Sequence, residues 1–379
     1  MIRITCKSAC CGCGACAQAC PKSCITMAAD EEGFLYPQVR SDLCVGCDIC
    51  IRVCPMDAKT PENAESVQAY AAFSETDRPG SSSGGIFSVL ARWVLSQGGV
   101  VFGAAFGDDF SVHHQMIHSV EELWVLRGSK YLQSDTQTTF RQVRELLENG
   151  TTVLYTGVSC QIAGLKRYLK KDYPHLYTAD VLCHGVPSPK VWKQYLRHQE
   201  QHFGSPVKTV NFRGKTFGWK QFSMELSFEN GESYCVPHGE DPFMKLFLEN
   251  ICLRPACHSC RFKEFPRFSD LTLGDAWGVG DILPDMDDDG GTSLILVNSE
   301  KGQALLEQVQ SSLICRPEAL DTLLPVYADS RTSVAPHPRR GAFFAAVSSD
   351  AGMEKLLSIL KGSGIQRAVG FLKRKLQKP

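Results

Sequence analysis

Beyond about residue 66 the hydrophobic positions follow two alternating periods. Ile86, Phe87, Val89, Leu90, Trp93 and Val94 recur with helical spacing, and Gly98 and Gly99 close that helix. VVFGAAF (100–106) reads as a buried strand. Phe140, Val143, Leu146 and Leu147 predict a helix stopping at Asn149 and Gly150, followed by the strand TTVLY (151–155). A helix over 161–169, the strand YTADVL (177–182) and a helix through Val191, Trp192, Tyr195 and Leu196 continue the series. Strands alternating with helices predict a largely parallel sheet covered on both faces.

After about residue 206 the pattern changes. VKTVNF, FSMELSF and ESYCV alternate more strictly and predict antiparallel strands, with Asn230 and Gly231 as a hairpin turn. Residues 241–251 and 300–312 read as helices, and LTLGD (271–275) and SLILVN (293–298) as strands. Residues 281–291 hold five aspartates but lack the glycine and glutamate positions of an EF-hand, so they read as a solvated loop. Residues 57–68 are polar and read as a linker. From 351 onward there are seven Lys/Arg against one Glu, with Ile365, Val369, Leu372 and Leu376 on one helical face. This basic amphipathic tail (351–379) suits packing on its own domain or a partner better than a membrane surface.

Residues 1–60 carry the strongest chemistry. Cys10, Cys13, Cys16 and Cys20, followed by Pro21, form a C-x2-C-x2-C-x3-C-P run. It repeats at Cys44, Cys47, Cys50 and Cys54, followed by Pro55. Eight thiolates so spaced are what two cubane [4Fe–4S] clusters need, the fourth cysteine of each run crossing to the other cluster. The expected sets are Cys10, Cys13, Cys16 and Cys54, and Cys44, Cys47, Cys50 and Cys20. Zinc sites use two CxxC pairs, not two four-cysteine runs with matching prolines. Cys6, Cys11 and Cys24 lie off the pattern and read as bystanders. The expected fold class is therefore a multidomain α+β/α/β chain, with a bacterial-type 2[4Fe–4S] ferredoxin fold ahead of an α/β domain with a mixed sheet.

Composition narrows the classes. With 379 residues the chain suits two or three domains, and 43% hydrophobic with 21% charged is ordinary for a globular protein. A net charge of −1 gives no field favouring nucleic acid. No stretch approaches a membrane span, and MIRITCKSACCGCG has no apolar export core. Eighteen cysteines without an export signal point to a reducing cytoplasm with thiolates serving metals, and low-potential clusters suggest an anaerobe.

A second cysteine set lies in the large region. Cys160 (TGVSCQ) and Cys183 (LCHGVPSP) each follow a predicted strand, and Cys257 and Cys260 form a CxxC. Segments after the carboxyl ends of parallel strands converge at one edge, where ligands bind. Spacing alone leaves a third [4Fe–4S] cluster and a structural zinc both open. His184 and His258 are placed to adjust such a centre by hydrogen bonds. Cys235, Cys252 and Cys315 read as core residues. The Gly/Ser run 80–85 precedes a helix and suits backbone approach to a phosphate, though by itself it could equally be a flexible cap. RGSKYLQS adds Lys130 and hydroxyls. Several one-electron centres call for an exchanger with two-electron chemistry, and a flavin is one.

SGGIFSVLARWVLSQGGVVFGAAF, RGSKYLQSD, TGVSCQIAGL, LCHGVPSPKVW, NFRGKTFGWK, RPACHSCRFK, SDLTLGDAWG and DDDGGTSLILVN together resemble the coenzyme F420 hydrogenase/dehydrogenase beta-subunit family over about residues 66–345. The resemblance implies FAD beside a [4Fe–4S] cluster held by Cys160, Cys183, Cys257 and Cys260. It implies Ser82, Ser83, Gly84, Gly85, Lys130 and Tyr131 around the FAD. Ser159 stands where the family commonly has proline. The implied division is a ferredoxin domain (1–60), N-terminal (66–150) and C-terminal (151–345) parts of a beta-subunit-like, flavin-binding domain, and the tail (351–379). The expected function is an iron–sulfur flavoprotein oxidoreductase. It would pass electrons between a two-electron small molecule (F420-like or NAD(P)H) and the ferredoxin clusters, with a redox partner protein or ferredoxin outside. His184 is the candidate catalytic residue. An electron-transfer subunit without its own substrate is the alternative, and a zinc-stapled binding protein without flavin is a third.

Overall fold

The computed structural model describes residues 1–58, 67–324 and 331–361. The apolar face at Ile365, Val369, Leu372 and Leu376, and most of the linker 57–68, lie outside these residues.

The first domain has an antiparallel pair, β1 (Ile25–Ala29) and β2 (Leu35–Val39), and two single helical turns, α1 (Ala15–Gln18) and α2 (Ile49–Arg52). The sequence repeat is visible in the backbone. Gly12 and Gly46 occupy equivalent left-handed positions, as do Gly14 and Asp48, which start the two turns. Each run therefore curls the same way around its own hollow.

The large domain follows as β3 (Gln68–Phe73), α3 (Ile86–Ser96), β4 (Val100–Phe106), β5 (Val112–Ile117), α4 (Thr139–Glu148), β6 (Val153–Val158), α5 (Ser159–Leu169), β7 (Leu176–Val181) and α6 (Pro189–Phe203). Next come β8 (Val207–Gly214), β9 (Ser223–Phe228), β10 (Ser233–Pro237), α7 (Pro242–Leu248), β11 (Leu271–Asp275), β12 (Ser293–Val297), α8 (Glu300–Val309) and β13 (Ile314–Glu318). The short α9 (Leu320–Leu323), α10 (Arg340–Ser348) and α11 (Met353–Lys361) end the described chain.

Eight strands make one mixed sheet in the order β13-β3-β12-β11-β7-β6-β4-β5. The central β11, β7, β6 and β4 are parallel, and the flanking strands antiparallel. Side chains alternate across the sheet. Val101, Ala105 and Leu154 pack on α3 and α8, while Val100, Phe102, Val153 and Tyr155 pack on α4 and α5. Cys11, Cys13, Ala15 and Val53 of the first domain share that second layer.

The expected antiparallel unit is a separate three-stranded sheet, β10-β9-β8, with Gly231 in the left-handed conformation at its turn. Its core, built on Trp192, Phe212, Phe243 and Phe343, also takes in Phe34 and Tyr36 of the first domain. The β1–β2 turn is pinned there: Arg340 donates to Glu32 at 2.9 Å and Ser188 to the Glu32 carbonyl. The first domain thus docks on both cores.

Candidate functional site

The first domain holds two hollows. One is lined by Cys10, Cys13, Cys16 and Cys54, with Cys11 beside them. The other is lined by Cys20, Cys44, Cys47 and Cys50, with Cys24. The crossing of the fourth cysteine is therefore realised in the fold. We call these the inner and outer hollows, because the first faces the large domain and the second faces water. Val45, on the outer rim, is 60% exposed, and Cys47 is exposed too. Burial, with the charges of Cys10 and Cys54, pushes the Cys16 thiol up to about 12, and burial pushes Cys54 to about 11. Such sulfurs stay protonated until a positive centre takes the proton's place.

The inner hollow is clamped by the large domain. Thr136 donates to the Cys13 carbonyl (2.9 Å) and Gln133 to that of Cys11 (3.0 Å). Gln18 bonds Thr136 and receives the Phe140 amide. Arg254, wholly buried, donates to the Cys10 carbonyl at 2.9 Å, to Gln133 at 2.8 Å and to the Leu35 carbonyl at 2.9 Å. One Nη also meets the Cys10 sulfur at 3.7 Å.

The second cysteine set is gathered behind the inner hollow. Neighbouring parallel strands β6 and β7 deliver Cys160, near the start of α5, and Cys183 to one sheet edge. The Cys183 loop then pairs with the segment before the CxxC. Arg254 donates its amide to the Val186 carbonyl (2.9 Å), Ser188 to that of Cys252 (2.9 Å), and the Val186 amide meets the Cys257 sulfur at 3.5 Å. Cys160 and Cys257 each feel the charges of Cys183 and Cys260. Burial, then Cys260, pushes Cys183 up to about 11, and burial, then Cys183, pushes Cys257 to about 12. Lys263 and Arg267 pull Cys183 the other way. Ser159, in the place of the family's proline, accepts from Arg267 at 2.9 Å and fixes it beside Asp180. Among the described residues no three His, Cys, Asp or Glu side chains gather tightly enough for a single ion. A cubane's thiolates each take a different iron and stand further apart.

The two thiols read as bystanders lie close to the patterned cysteines. The buried Cys11 sulfur lies within reach of both Cys13 and Cys160, whose thiols hold it well below the usual range. Cys24 lies 3.4 Å from Cys20 inside the outer hollow. Off-pattern spacing concealed both, because the fold brings them in through the turns of neighbouring ligands. Cys235 is exposed on β10 and Cys315 half-buried, so only Cys252 is a core cysteine of that trio. The aspartate-rich loop leaves Asp281, Asp285, Asp288 and Asp289 exposed and adds ion pairs: Asp288 takes both guanidinium nitrogens of Arg78, and Asp287 takes Lys220.

The glycine–serine loop has packing reasons for its glycines. A Cβ at Gly84 would meet the Ala72 carbonyl at 2.4 Å, and Gly85 starts α3 at φ +87°. Ser82 accepts from the Ser129 amide, and Ser83 donates to the Thr292 carbonyl. Lys130 is held by the carbonyls of Leu126, Arg127 and Gly128, and burial lowers it to about 8. Sequence reasoning missed the residue at the centre, Arg213. It bonds Tyr131 (3.1 Å), the Ser82 carbonyl (3.3 Å) and Asp275 at the end of β11 (2.8 Å), and among the described residues its buried Nε has no partner. Lys215 sits beside it on the carbonyls of Arg78, Ser83 and Gly290. The Tyr131 ring stacks on Phe247 (5.1 Å), which meets the edge of His184 (5.2 Å), next to Cys183. His184 is itself held by Asn250 at 2.6 Å. His258 bonds the Val334 carbonyl.

Residues 150–322 match the family model for the C terminus of the coenzyme F420 hydrogenase/dehydrogenase beta subunit. Residues 9–58 match the 4Fe-4S dicluster domain. The chain joins a dicluster domain to an F420 hydrogenase/dehydrogenase beta-subunit region. The dicluster domain is an iron–sulfur, electron-transfer module, and the beta-subunit region is of an oxidoreductase family. Among curated proteins none matches. One similar solved structure is described as "Xenon derivatization of the F420-reducing [NiFe] hydrogenase complex from Methanosarcina barkeri". Identity is 18%, the alignment covers 79% of this chain and 92% of that chain, and the TM-score is 0.48. That score is too low for the likeness to bear on this fold. Among the described residues no helix is long and apolar enough to cross a membrane.

Proposed function

We propose that this chain is an iron–sulfur flavoprotein oxidoreductase. In it Cys10, Cys13, Cys16 and Cys54 hold one [4Fe–4S] cluster, and Cys20, Cys44, Cys47 and Cys50 a second. Cys160, Cys183, Cys257 and Cys260 hold a third. FAD is assigned to the rim formed by Ser82, Ser83, Gly84, Gly85, Lys130 and Tyr131 around Arg213. The observation that carries the reading is the continuity of these places. The outer hollow adjoins the inner through Cys16 and Cys50, Cys11 spans from Cys13 to Cys160, and the His184–Phe247–Tyr131 rings lead on to Arg213.

The donor sets fit the groups. Thiols grouped by fours suit cubanes. The guanidinium of Arg213, whose buried Nε has no partner among the described residues, suits the pyrophosphate of a dinucleotide, with the charges of Lys130 and Lys215 nearby. A bound flavin supplies exchange between hydride and single-electron chemistry. Arg213 orients the Tyr131 hydroxyl and ties the loop to the edge of β11. His184, fixed by Asn250, stands near that edge and is the candidate catalytic residue. The reacting small molecule is F420-like or NAD(P)H, and a ferredoxin or redox partner exchanges electrons at the exposed outer rim. The domains assigned are 1–60, then 66–150 with 151–345 as two parts of one unit, since β4 pairs with β6.

A second reading, an electron-transfer subunit docked to a catalytic partner, draws on the exposed apolar rim at Leu43, Val45 and Ile51. The experiment is anaerobic purification followed by iron, sulfide and flavin analysis, then titration with reduced F420, NADH or NADPH. Bleaching of flavin absorbance by one of these supports the first reading, and reduction only through a partner protein supports the second. A colourless, zinc-containing preparation contradicts both.

A further inference from the structure

Arg254 is a cation with nowhere ordinary to place its charge. It is 0% exposed, and among the described residues no carboxylate pairs with it. Its fork is spent on two backbone carbonyls and the neutral amide of Gln133, and its face lies over the rings of Tyr36 (4.3 Å) and Phe34 (5.5 Å). Neutral acceptors satisfy its hydrogen bonds but do not neutralise it. Burying an uncompensated guanidinium is costly, so a buried cation normally has an anion nearby. The atoms within its reach that become anionic when a cluster is bound are sulfurs. One Nη lies 3.7 Å from Cys10, and its charge also acts on Cys11 and Cys257. It therefore stands between the inner hollow and the second cysteine set. At the outer hollow the lining cations are Lys22, which is exposed and screened by water, and the Met1 ammonium, which Asp48 neutralises at 2.6 Å; the hydrogen bond to sulfur there comes from a neutral group, the Ile2 amide on Cys50 at 3.3 Å.

We propose that Arg254 is the shared counter-charge of the inner cluster and the third cluster, holding both at higher reduction potential than the outer one. The inference rests on the three-cluster reading above. The potential of an iron–sulfur cluster depends on net charge, hydrogen bonds to its sulfurs and solvent exposure. A buried cation with an N–H directed at Cys10 stabilises the reduced, more negative state. Water at the outer rim also favours the more negative state, and the fixed cation in its low-dielectric surroundings outweighs it. An electron passed inward oxidises the outer cluster and reduces the inner by one unit, with no bond made or broken. Arg254 makes that exchange favourable.

The test is a potentiometric titration of the anaerobically purified full chain, followed by electron paramagnetic resonance. The outer signal is assigned by its loss in Cys47→Ala and the third by its loss in Cys160→Ala. In the wild-type protein the outer cluster is expected to be reduced at the lowest potential. Arg254→Gln should weaken reduction of the inner and third clusters about tenfold, ~59 mV for a one-electron couple, and leave the outer unchanged. Arg254→Lys should restore part of the shift. A packing role alone would lower stability without moving two potentials out of three. If Arg254→Gln does not assemble, the wild-type order decides, and an outer cluster reduced first at equal or higher potential overturns the proposal. Unchanged potentials in a fully loaded Arg254→Gln protein overturn it as well. A wild-type protein carrying iron only for the dicluster domain would instead contradict the three-cluster reading.

Discussion

The inner and outer hollows come from one repeated cysteine pattern and differ in what surrounds them. At the inner hollow Gly12 faces the Gln133 amide and the Arg254 guanidinium, at 2.4 and 2.7 Å from where its Cβ would be. At the outer hollow the equivalent Gly46 faces open space. Both have positive φ, so backbone strain on substitution is shared and only the surroundings differ. The ligand pattern thus specifies what is bound, while the docked domain specifies how that centre behaves.

The sharpest way to break this comparison is a matched pair of substitutions. Gly12→Ala adds overpacking against a rigid, fully bonded cluster of side chains to the left-handed strain, and should cost ~2–4 kcal/mol in anaerobic denaturant unfolding. Gly46→Ala should cost only about 1 kcal/mol, the strain alone. Equal costs would mean that the inner hollow is not clamped.

Thr136→Val removes the bond to the Cys13 carbonyl and strands the Gln18 amide, an expected loss of about 1–2 kcal/mol. The accompanying readout is iron release to a chelator. It should quicken for the inner iron in this variant, whereas in the wild-type protein the exposed outer iron leaves first.

How much of this was legible in the residues depended on range. The eight ferredoxin cysteines, the C-terminal end of β7 and the β9–β10 turn follow from local spacing and were readable, whereas β6 runs to Val158, three residues past the expected end. β3 was not, because QAYAAF is alanine-rich and has little intrinsic strand preference. β13 carries Pro317 and is tolerated only because it lies at a sheet edge. Arg213 and Arg254 were invisible for another reason. An arginine becomes a site residue through what encloses it, and Tyr131, Asp275, Gln133 and Cys10 are all far away in sequence. Cys11 and Cys24 were set aside because a spacing rule counts ligands and says nothing of the thiols beside them.

A smaller effect concerns the rim around Arg213. Burial, with the nearby charges of Arg78 and Arg213, lowers Lys215 from 10.5 to about 8. Its charged form is therefore disfavoured in the folded protein. Stability should rise as pH goes from about 8 to 10.5, where the unfolded chain loses the same proton, by less than about 1 kcal/mol because the group is only half buried. Lys215→Met should flatten that rise in anaerobic unfolding curves measured across the window. If FAD sits on this rim, its affinity should fall over the same window as the cation is neutralised, which fluorescence titration of flavin-free protein would follow.

The central claim is that three cysteine sets form one line of metal centres through the two domains. Iron and acid-labile sulfide should be counted in the anaerobically purified wild-type protein and in Cys160→Ser. The account predicts ~12 irons per chain falling to ~8, with the dicluster signals retained. About eight irons in both proteins would contradict it.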